Sequence, residues 1–308
     1  MSVTPGGAKA REAAAAALPD RIALLGLGLI GGSIALAVRE AGYRGTLVAW
    51  TPAGRGPAEA KRRRIVDEVK GTPESALEAA GLVVLAGPPL AILEQLAELG
   101  GRHRRRLRAG ATVTDAASTK AQIVAAANRH DLPFVGGHPM AGRETSGVEA
   151  ASADLFLDRP WVVVPGSGAR PEDVAATEAL AAATGAQPLR LTAAEHDAAV
   201  AAISHLPLVL SAALVEAVAR GPQREAVWPL AASLAAGGWR DTTRIARGDP
   251  EMGAGILATN AQPVAEGLRA LRDVIDGWLE QLEAAEPIDA ERLRRRLEAA
   301  RTALTDNA

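Results

Sequence analysis

Ile22-Ala23-Leu24-Leu25-Gly26-Leu27-Gly28-Leu29-Ile30-Gly31-Gly32 is the stretch that decides how this chain is read. A short apolar run enters a Gly-x-Gly-x-x-Gly turn, and an apolar helical pattern, Ile34–Ala41, leaves it. Each glycine has its own reason. Gly26 makes the tight turn, Gly28 lets backbone approach a pyrophosphate, and Gly31 lets helix pack on strand. The helix opening at Leu29 and Ile30 then presents unpaired N–H groups and a positive dipole end to phosphates. With 31 glycines in the chain, so short a motif also arises by chance. Its place between a strand and a helix is what makes it a dinucleotide site rather than a Gly-rich turn.

Outward from this turn, short apolar runs alternate with helical patterns, as in a parallel α/β sheet. Candidate strands are Ile22–Leu25, Thr46–Trp50, Leu82–Ala86, Ala111–Thr114, Phe134–Gly136 and Trp161–Val164; candidate helices are Ile34–Ala41, Leu90–Leu99 and Ala121–His130. The turn-rich segment Pro165–Pro171 marks a domain boundary. Beyond it Ala/Leu-rich helical stretches dominate, with Pro188–Leu191 as the one further strand candidate and helices over Val264–Glu283 and Asp289–Leu304. The expected organisation is a lead-in over 1–20, flexible or weakly helical, a dinucleotide-binding domain over 21–167 and a helical domain over 168–308. No internal repeat is evident.

Thr51 and Arg55 after the second apolar run, and Gly87 and Pro88 after the third, complete the candidate cofactor set. NAD-binding relatives of this architecture carry an acid at the end of the second strand for the ribose diol. Here Trp50 is followed by Thr51-Pro52-Ala53-Gly54-Arg55, without an acid. The missing carboxylate removes repulsion against a 2′-phosphate, and Arg55 or Arg62–Arg64 can supply a positive partner. The cofactor reading is therefore NADP or NAD, leaning to NADP, against the alternative that these arginines form a solvated helix face.

Composition narrows the classes. The 308 residues are 48% hydrophobic and 23% charged, which excludes a disordered or collagen-like chain. Aromatics at 3% and a net charge of −2 leave neither stacking platforms nor a basic field for nucleic acid. The run Arg102-His103-Arg104-Arg105-Arg106 is accordingly read as a polar helix face. The absence of cysteine excludes disulfides, thiolate zinc, iron–sulfur clusters and thiol catalysis. No apolar run is read as approaching the roughly 20 residues that span a bilayer, and residues 1–20 lack a signal-peptide pattern. A cytoplasmic enzyme or binding protein is expected.

Of five histidines, His103 and His130 read as surface residues. His138, in Gly136-Gly137-His138-Pro139-Met140-Ala141-Gly142, reads as held in a rigid turn after an apolar strand, where ligands of a doubly wound sheet sit. Its ordinary pKa near 6.5 suits proton transfer at neutral pH. His196 and His205 fall on helices of the second part, where each is either aimed into a cleft or hydrogen-bonded in a core. Pro207 marks a helix start or kink beside His205.

Several separate segments together resemble the prephenate dehydrogenase family, which includes the arogenate and cyclohexadienyl dehydrogenases. They are Gly26–Gly32, Thr114-Asp115-Ala116-Ala117-Ser118-Thr119-Lys120, His138-Pro139-Met140-Ala141-Gly142-Arg143-Glu144, Ser204-His205-Leu206-Pro207, Asp241-Thr242-Thr243-Arg244-Ile245-Ala246, and Asn260. They occur in the family's order and span roughly residues 20–283. The resemblance implies a Rossmann domain with a doubly wound, mainly parallel sheet, joined to an all-α domain that forms a homodimer interface. It implies oxidative decarboxylation of prephenate to 4-hydroxyphenylpyruvate, or of arogenate to tyrosine, or of an amino-substituted prephenate by a related dehydrogenase, without a metal. By the same resemblance His138 polarises the substrate hydroxyl, Ser118 helps orient that histidine and the hydroxyl, and Arg244 binds a substrate carboxylate. Glu144 restrains access to the site, while Asp115 and Lys120 are scaffold.

One departure stands out. Many members have a second histidine three positions after that of the Ser-His-x-Pro motif, where this chain has Leu208. That leaves the prephenate-versus-arogenate choice open, with His205 as the compensating substrate contact. The resemblance also implies a monofunctional form, without the regulatory ACT or chorismate mutase domain of some relatives. Two other readings are weaker. A 3-hydroxyacid dehydrogenase relies on a lysine in its helical domain, whereas Lys9, Lys61, Lys70 and Lys120 all lie upstream. A non-catalytic dinucleotide sensor would not need His138, Ser118 and Arg244 together.

Overall fold

The computed structural model describes residues 5–52, 56–143, 145, 147–221, 224–284 and 288–305. It divides into two compact units, 1–261 and 262–308.

The first unit is built on one sheet. In chain order its strands are β1 Arg21–Leu25, β2 Thr46–Trp50, β3 Glu68–Val69, β4 Leu82–Leu85, β5 Thr112–Asp115, β6 Phe134–Pro139, β7 Pro160–Pro165 and β8 Gln187–Arg190. Their spatial order is β3-β2-β1-β4-β5-β6-β7-β8. All neighbours are parallel except β6 and β7, which run antiparallel with His138 opposite Val162. The chain order reverses between β1 and β4, the switch point at which such sheets bind ligands.

The continuous apolar runs follow from burial on both faces. Because side chains alternate along a strand, each strand feeds two cores. Ile22, Leu24, Leu47, Leu82 and Val84 enter one core with the helix Leu29–Glu40 and, through Leu180, the helix Pro171–Ala183. Ala23, Leu25, Val48, Val83 and Leu85 enter the other with the helices Pro89–Gly100 and Ala121–Arg129.

Three expectations change here. The sheet does not stop at the turn 165–171, because the helix Pro171–Ala183 returns the chain to place β8 parallel beside β7. The lead-in is a helix, Pro5–Ala16, with Ala15 in the first core. Its buried Arg11 donates to the carbonyls of Ala183 (3.3 Å) and Ala37 (3.4 Å), a cation serving the carboxyl ends of two helices. Residues 193–219, finally, form one helix that is long and apolar enough to cross a membrane, with a mean hydropathy of 2.0. The sequence hides it because Pro207 reads as a break. Proline has no N–H to continue an α-turn, and the helix passes it by widening into a π turn over Ala201–His205.

The second unit holds the helix Ala261–Leu282 from its second residue onward, and the helix Ala290–Thr305. There Arg296 lies over the Trp278 ring at 4.1 Å and donates to the Val274 carbonyl at 2.9 Å.

Candidate active site

The glycine turn at the switch point is built for close approach. Gly26 has φ +112°, and a Cβ on it would lie 2.6 Å from the Ala86 carbonyl oxygen. A Cβ on Gly31 would lie 2.2 Å from the Gly26 carbonyl oxygen, so the helix could not seat against the turn. Above Gly28 there is open space, with nothing within 4 Å of its Cβ position. Gly28 caps the helix Leu29–Glu40 without a side-chain hydrogen bond, which leaves the first N–H groups for a ligand. A tight turn, an open approach and a bare helix start fit a dinucleotide pyrophosphate. Thr51 directly follows β2, and Gly87 and Pro88 lead from β4 into the helix Pro89–Gly100. Arg55 lies outside the described residues.

His138 sits inside β6 rather than in a turn beyond it. Gly136 and Gly137 suggest a turn, but packing is what requires Gly137. A Cβ there would lie 2.5 Å from the Asp115 carbonyl oxygen and 2.9 Å from Trp161 Nε1. Since β1, β4, β5 and β6 are mutually parallel, Gly26, Gly87, the loop carrying Ser118 and His138 share one edge of the sheet.

His138 is half-buried, and its Nδ1 lies 2.8 Å from Nε2 of His196. Nδ1 of His196 lies 2.7 Å from Oδ1 of Asp197. That carboxylate also accepts the backbone N–H groups of Lys120 (2.7 Å) and Ala121 (2.8 Å), which open the helix Ala121–Arg129. Burial raises the pKa of Asp197, but the bonds from His196 and the two amides outweigh it and hold it below the usual carboxylate range. Burial, then the neighbouring His196, Lys120 and His205, push His138 well below the ordinary 6.5. His138 is therefore neutral at pH 7.

Around this line the polar groups are tied down. Asp115 Oδ1 accepts Gly137 N–H at 2.9 Å, and Oδ2 accepts Ala117 N–H at 3.0 Å and the buried Lys120 ammonium. Asn260 donates its side-chain N–H groups to the Asp197 carbonyl (2.8 Å) and to Nδ1 of His205 (3.0 Å). This leaves His205 with its proton on Nε2, a buried donor without a partner among the described residues. Burial, opposed by Asp197, lowers His205 to about 4.

Ser118 is partly exposed in the loop after β5, and no hydrogen bond joins it to His138 among the described residues. Arg244 is exposed at the end of the helix Gly237–Thr243, where the next turn is pinned by Ala246 N–H to Ser211 Oγ at 3.2 Å. Glu144 lies outside the described residues. The sequence reading left His196 open and passed over Asp197. Their signal is the adjacent pair His196-Asp197 in the first turns of a helix whose Thr192 and Glu195 form a capping box.

Residues 34–189 match the family model described as prephenate dehydrogenase, nucleotide-binding domain, and residues 192–299 match prephenate dehydrogenase, dimerization domain. The chain is 34% identical over 289 residues to a prephenate dehydrogenase of Bacillus subtilis, covering 90% of this chain and 73% of that protein. It is similar to the structure of Synechocystis arogenate dehydrogenase at 33% identity and a TM-score of 0.73, over 92% of this chain and 99% of that one. It is similar also to prephenate dehydrogenase from A. aeolicus in complex with hydroxyphenyl propionate and NAD+, at 25% identity and a TM-score of 0.80, over 92% and 98%.

Proposed function

The chain belongs to the prephenate dehydrogenase family, and on that premise we propose that it oxidatively decarboxylates prephenate to 4-hydroxyphenylpyruvate. One observation carries the reading: the His138 imidazole and a glycine turn fit for a dinucleotide stand on the same edge of one sheet. Arogenate, which would give tyrosine directly, is the second reading, and Leu208 favours keeping it, because it offers no polar contact to the substrate side chain.

The nucleotide-binding domain takes a nicotinamide dinucleotide, which when bound supplies the hydride acceptor. Gly26, Gly28 and Gly31 and the N–H groups at Leu29 and Ile30 hold its pyrophosphate, with Thr51, Gly87 and Pro88 at the neighbouring strand ends. His138 Nε2 accepts the hydrogen bond of the substrate's C4 hydroxyl. As hydride leaves C4, the hydroxyl proton is drawn to that nitrogen. Loss of the ring carboxylate as carbon dioxide makes the ring aromatic, and the proton returns to the new phenol oxygen. Ser118 orients the hydroxyl, Arg244 and the Nε2–H of His205 bind substrate oxygens, and Glu144 guards the entrance.

The test is an absorbance assay for reduced nicotinamide with prephenate and arogenate, each with both cofactors. Prephenate-dependent reduction is the expected result; none with either acid removes the reading. NADP is the proposed preferred cofactor, since no acid follows β2 where the ribose diol would bind. Titration of the protein with each dinucleotide should show tighter binding of NADP, and tighter NAD would reverse the preference. Arg244→Gln should raise the substrate KM about 10–100-fold, as for a lost charged hydrogen bond, with kcat little changed. A fall in kcat alone would remove the carboxylate-binding role.

A second copy of this chain is the proposed protein partner. The helix 193–219 exposes Ile203 and Leu210, and Leu230 and Leu234 are exposed beyond it. Its buried His196, Asp197 and His205 mark it as a protein-bound helix rather than a lipid-bound one, and the dimerization-domain match accounts for the apolar surface. The cytoplasm is the proposed location.

A further inference from the structure

We propose that His196 and Asp197 are positioning residues that form a relay behind His138, fixing its tautomer and sharing the proton it accepts. The inference deepens the reading of His138 as the base and rests on it.

The direction of each hydrogen bond follows from the carboxylate. Ionised Asp197 can only accept, so the bond at 2.7 Å places a proton on His196 Nδ1. Where His196 carries that one ring proton, its Nε2 offers only a lone pair. The 2.8 Å contact to His138 therefore needs a proton on His138 Nδ1. Nε2 of His138 is left as the acceptor, as the reaction requires. The ring planes stand at 78° with centroids 5.0 Å apart, an edge-on approach that lets one ring's N–H meet the other's lone pair. His196 is buried, so no water competes for either nitrogen.

The proton steps balance. The substrate O–H bond breaks and an N–H bond forms at His138 Nε2. The Nδ1 proton of His138 passes to His196 Nε2, leaving His138 neutral and His196 an imidazolium whose Nδ1–H still faces the Asp197 carboxylate. When carbon dioxide has left, both transfers reverse and the proton returns to the ring oxygen. Among the described residues, the other groups facing His138 supply no such acceptor. Lys120, on the loop after β5, is tied to Asp115, and His205, in the π turn, is tied to Asn260 through Nδ1.

The first test needs no turnover. In protein labelled with 15N-histidine, the ring nitrogens of His138 and His196 should both report protonated Nδ1 and unprotonated Nε2 at pH 7. A proton on Nε2 of either ring overturns the relay. The second is kinetic. In His196→Gln the amide oxygen can accept from His138 Nδ1 but cannot take its proton; His196→Leu loses both functions. Removing the partner that orients a metal-bound histidine typically costs about 10–100-fold, and the same scale is expected for the partner of His138. The expected kcat loss is about tenfold for Gln and about 100-fold for Leu, with substrate KM and dinucleotide affinity within about threefold of wild type. A full wild-type rate in His196→Leu overturns the relay while leaving the dehydrogenase intact. A wild-type protein that turns over neither acid removes the reaction instead, and the tautomers then decide the hydrogen-bond order by themselves.

Discussion

His138→Asn is expected to lower kcat by about two to four powers of ten while leaving dinucleotide binding at the wild-type level, the range typical of lost acid–base help. The two effects separate because the residues lie on different strands. The glycine turn follows β1, whereas His138 is carried by β6 and faces the cofactor site only across the shared edge. Asn keeps a polar side chain of similar reach, so Gly137 and the strand pair β6–β7 need not shift. It has no group that titrates in the useful range. The pH dependence adds a second handle. His138 is pushed well below 6.5 first by burial and then by His196, Lys120 and His205. The acid limb of kcat/KM should therefore fall below pH 6.5 in the free enzyme and be absent from the residual rate of His138→Asn. The linkage has a definite sign for His205 as well. Its folded pKa of about 4 lies below the ordinary 6.5, so its contribution to stability is complete above pH 6.5 and is lost as pH falls towards 4. Near wild-type turnover in His138→Asn would remove the base.

Most of the sheet was legible because each buried strand is a short apolar run closed by Gly, Pro or a polar residue. Arg21–Leu25, Thr46–Trp50 and Leu82–Leu85 match their expected spans within a residue. Glu68–Val69 was not legible: two residues, one of them charged, carry no periodic signal. The end of the sheet was misplaced because Pro165–Pro171 looks like a linker, yet it is the tight connection into the helix Pro171–Ala183. Nothing local says that Gln187–Arg190, exposed along its length, pairs with β7. At the site, Gly26, Gly28 and Gly31 could be read singly, since each answers a backbone requirement. The partner of His138 could not. His196 is 58 residues away, and only the fold brings the rings together. The same holds for Asn260, which reaches back to Asp197 and His205 from the end of the helix Pro250–Thr259.

Lys120→Met is expected to destabilise the protein by about 3–5 kcal/mol, read as a shift in the urea midpoint at constant slope. Lys120 and Asp115 are both fully buried. Burial depresses the ammonium, and Asp115 opposes that shift without overcoming it. The pair itself thus adds little net stability, and the expected loss arises from what remains when one partner goes. In Lys120→Met the carboxylate stays between the Ala117 and Gly137 amides with its counter-charge gone. Asp115→Asn in the Lys120→Met background removes that charge and should recover part of the loss, even though one amide N–H then meets an NH2 group. The catalytic consequence follows from where those amides lie. Ala117 precedes Ser118 and Gly137 precedes His138, so Asp115 ties the serine loop to the histidine strand. Lys120→Met should therefore lower kcat as well as stability, and the double variant should recover stability more fully than rate, because an amide cannot hold both N–H groups as a carboxylate does. A midpoint shift worth less than about 1 kcal/mol would mean that water reaches Asp115 once the ammonium is gone, and the tie between the two catalytic segments would then be loose in the native protein too.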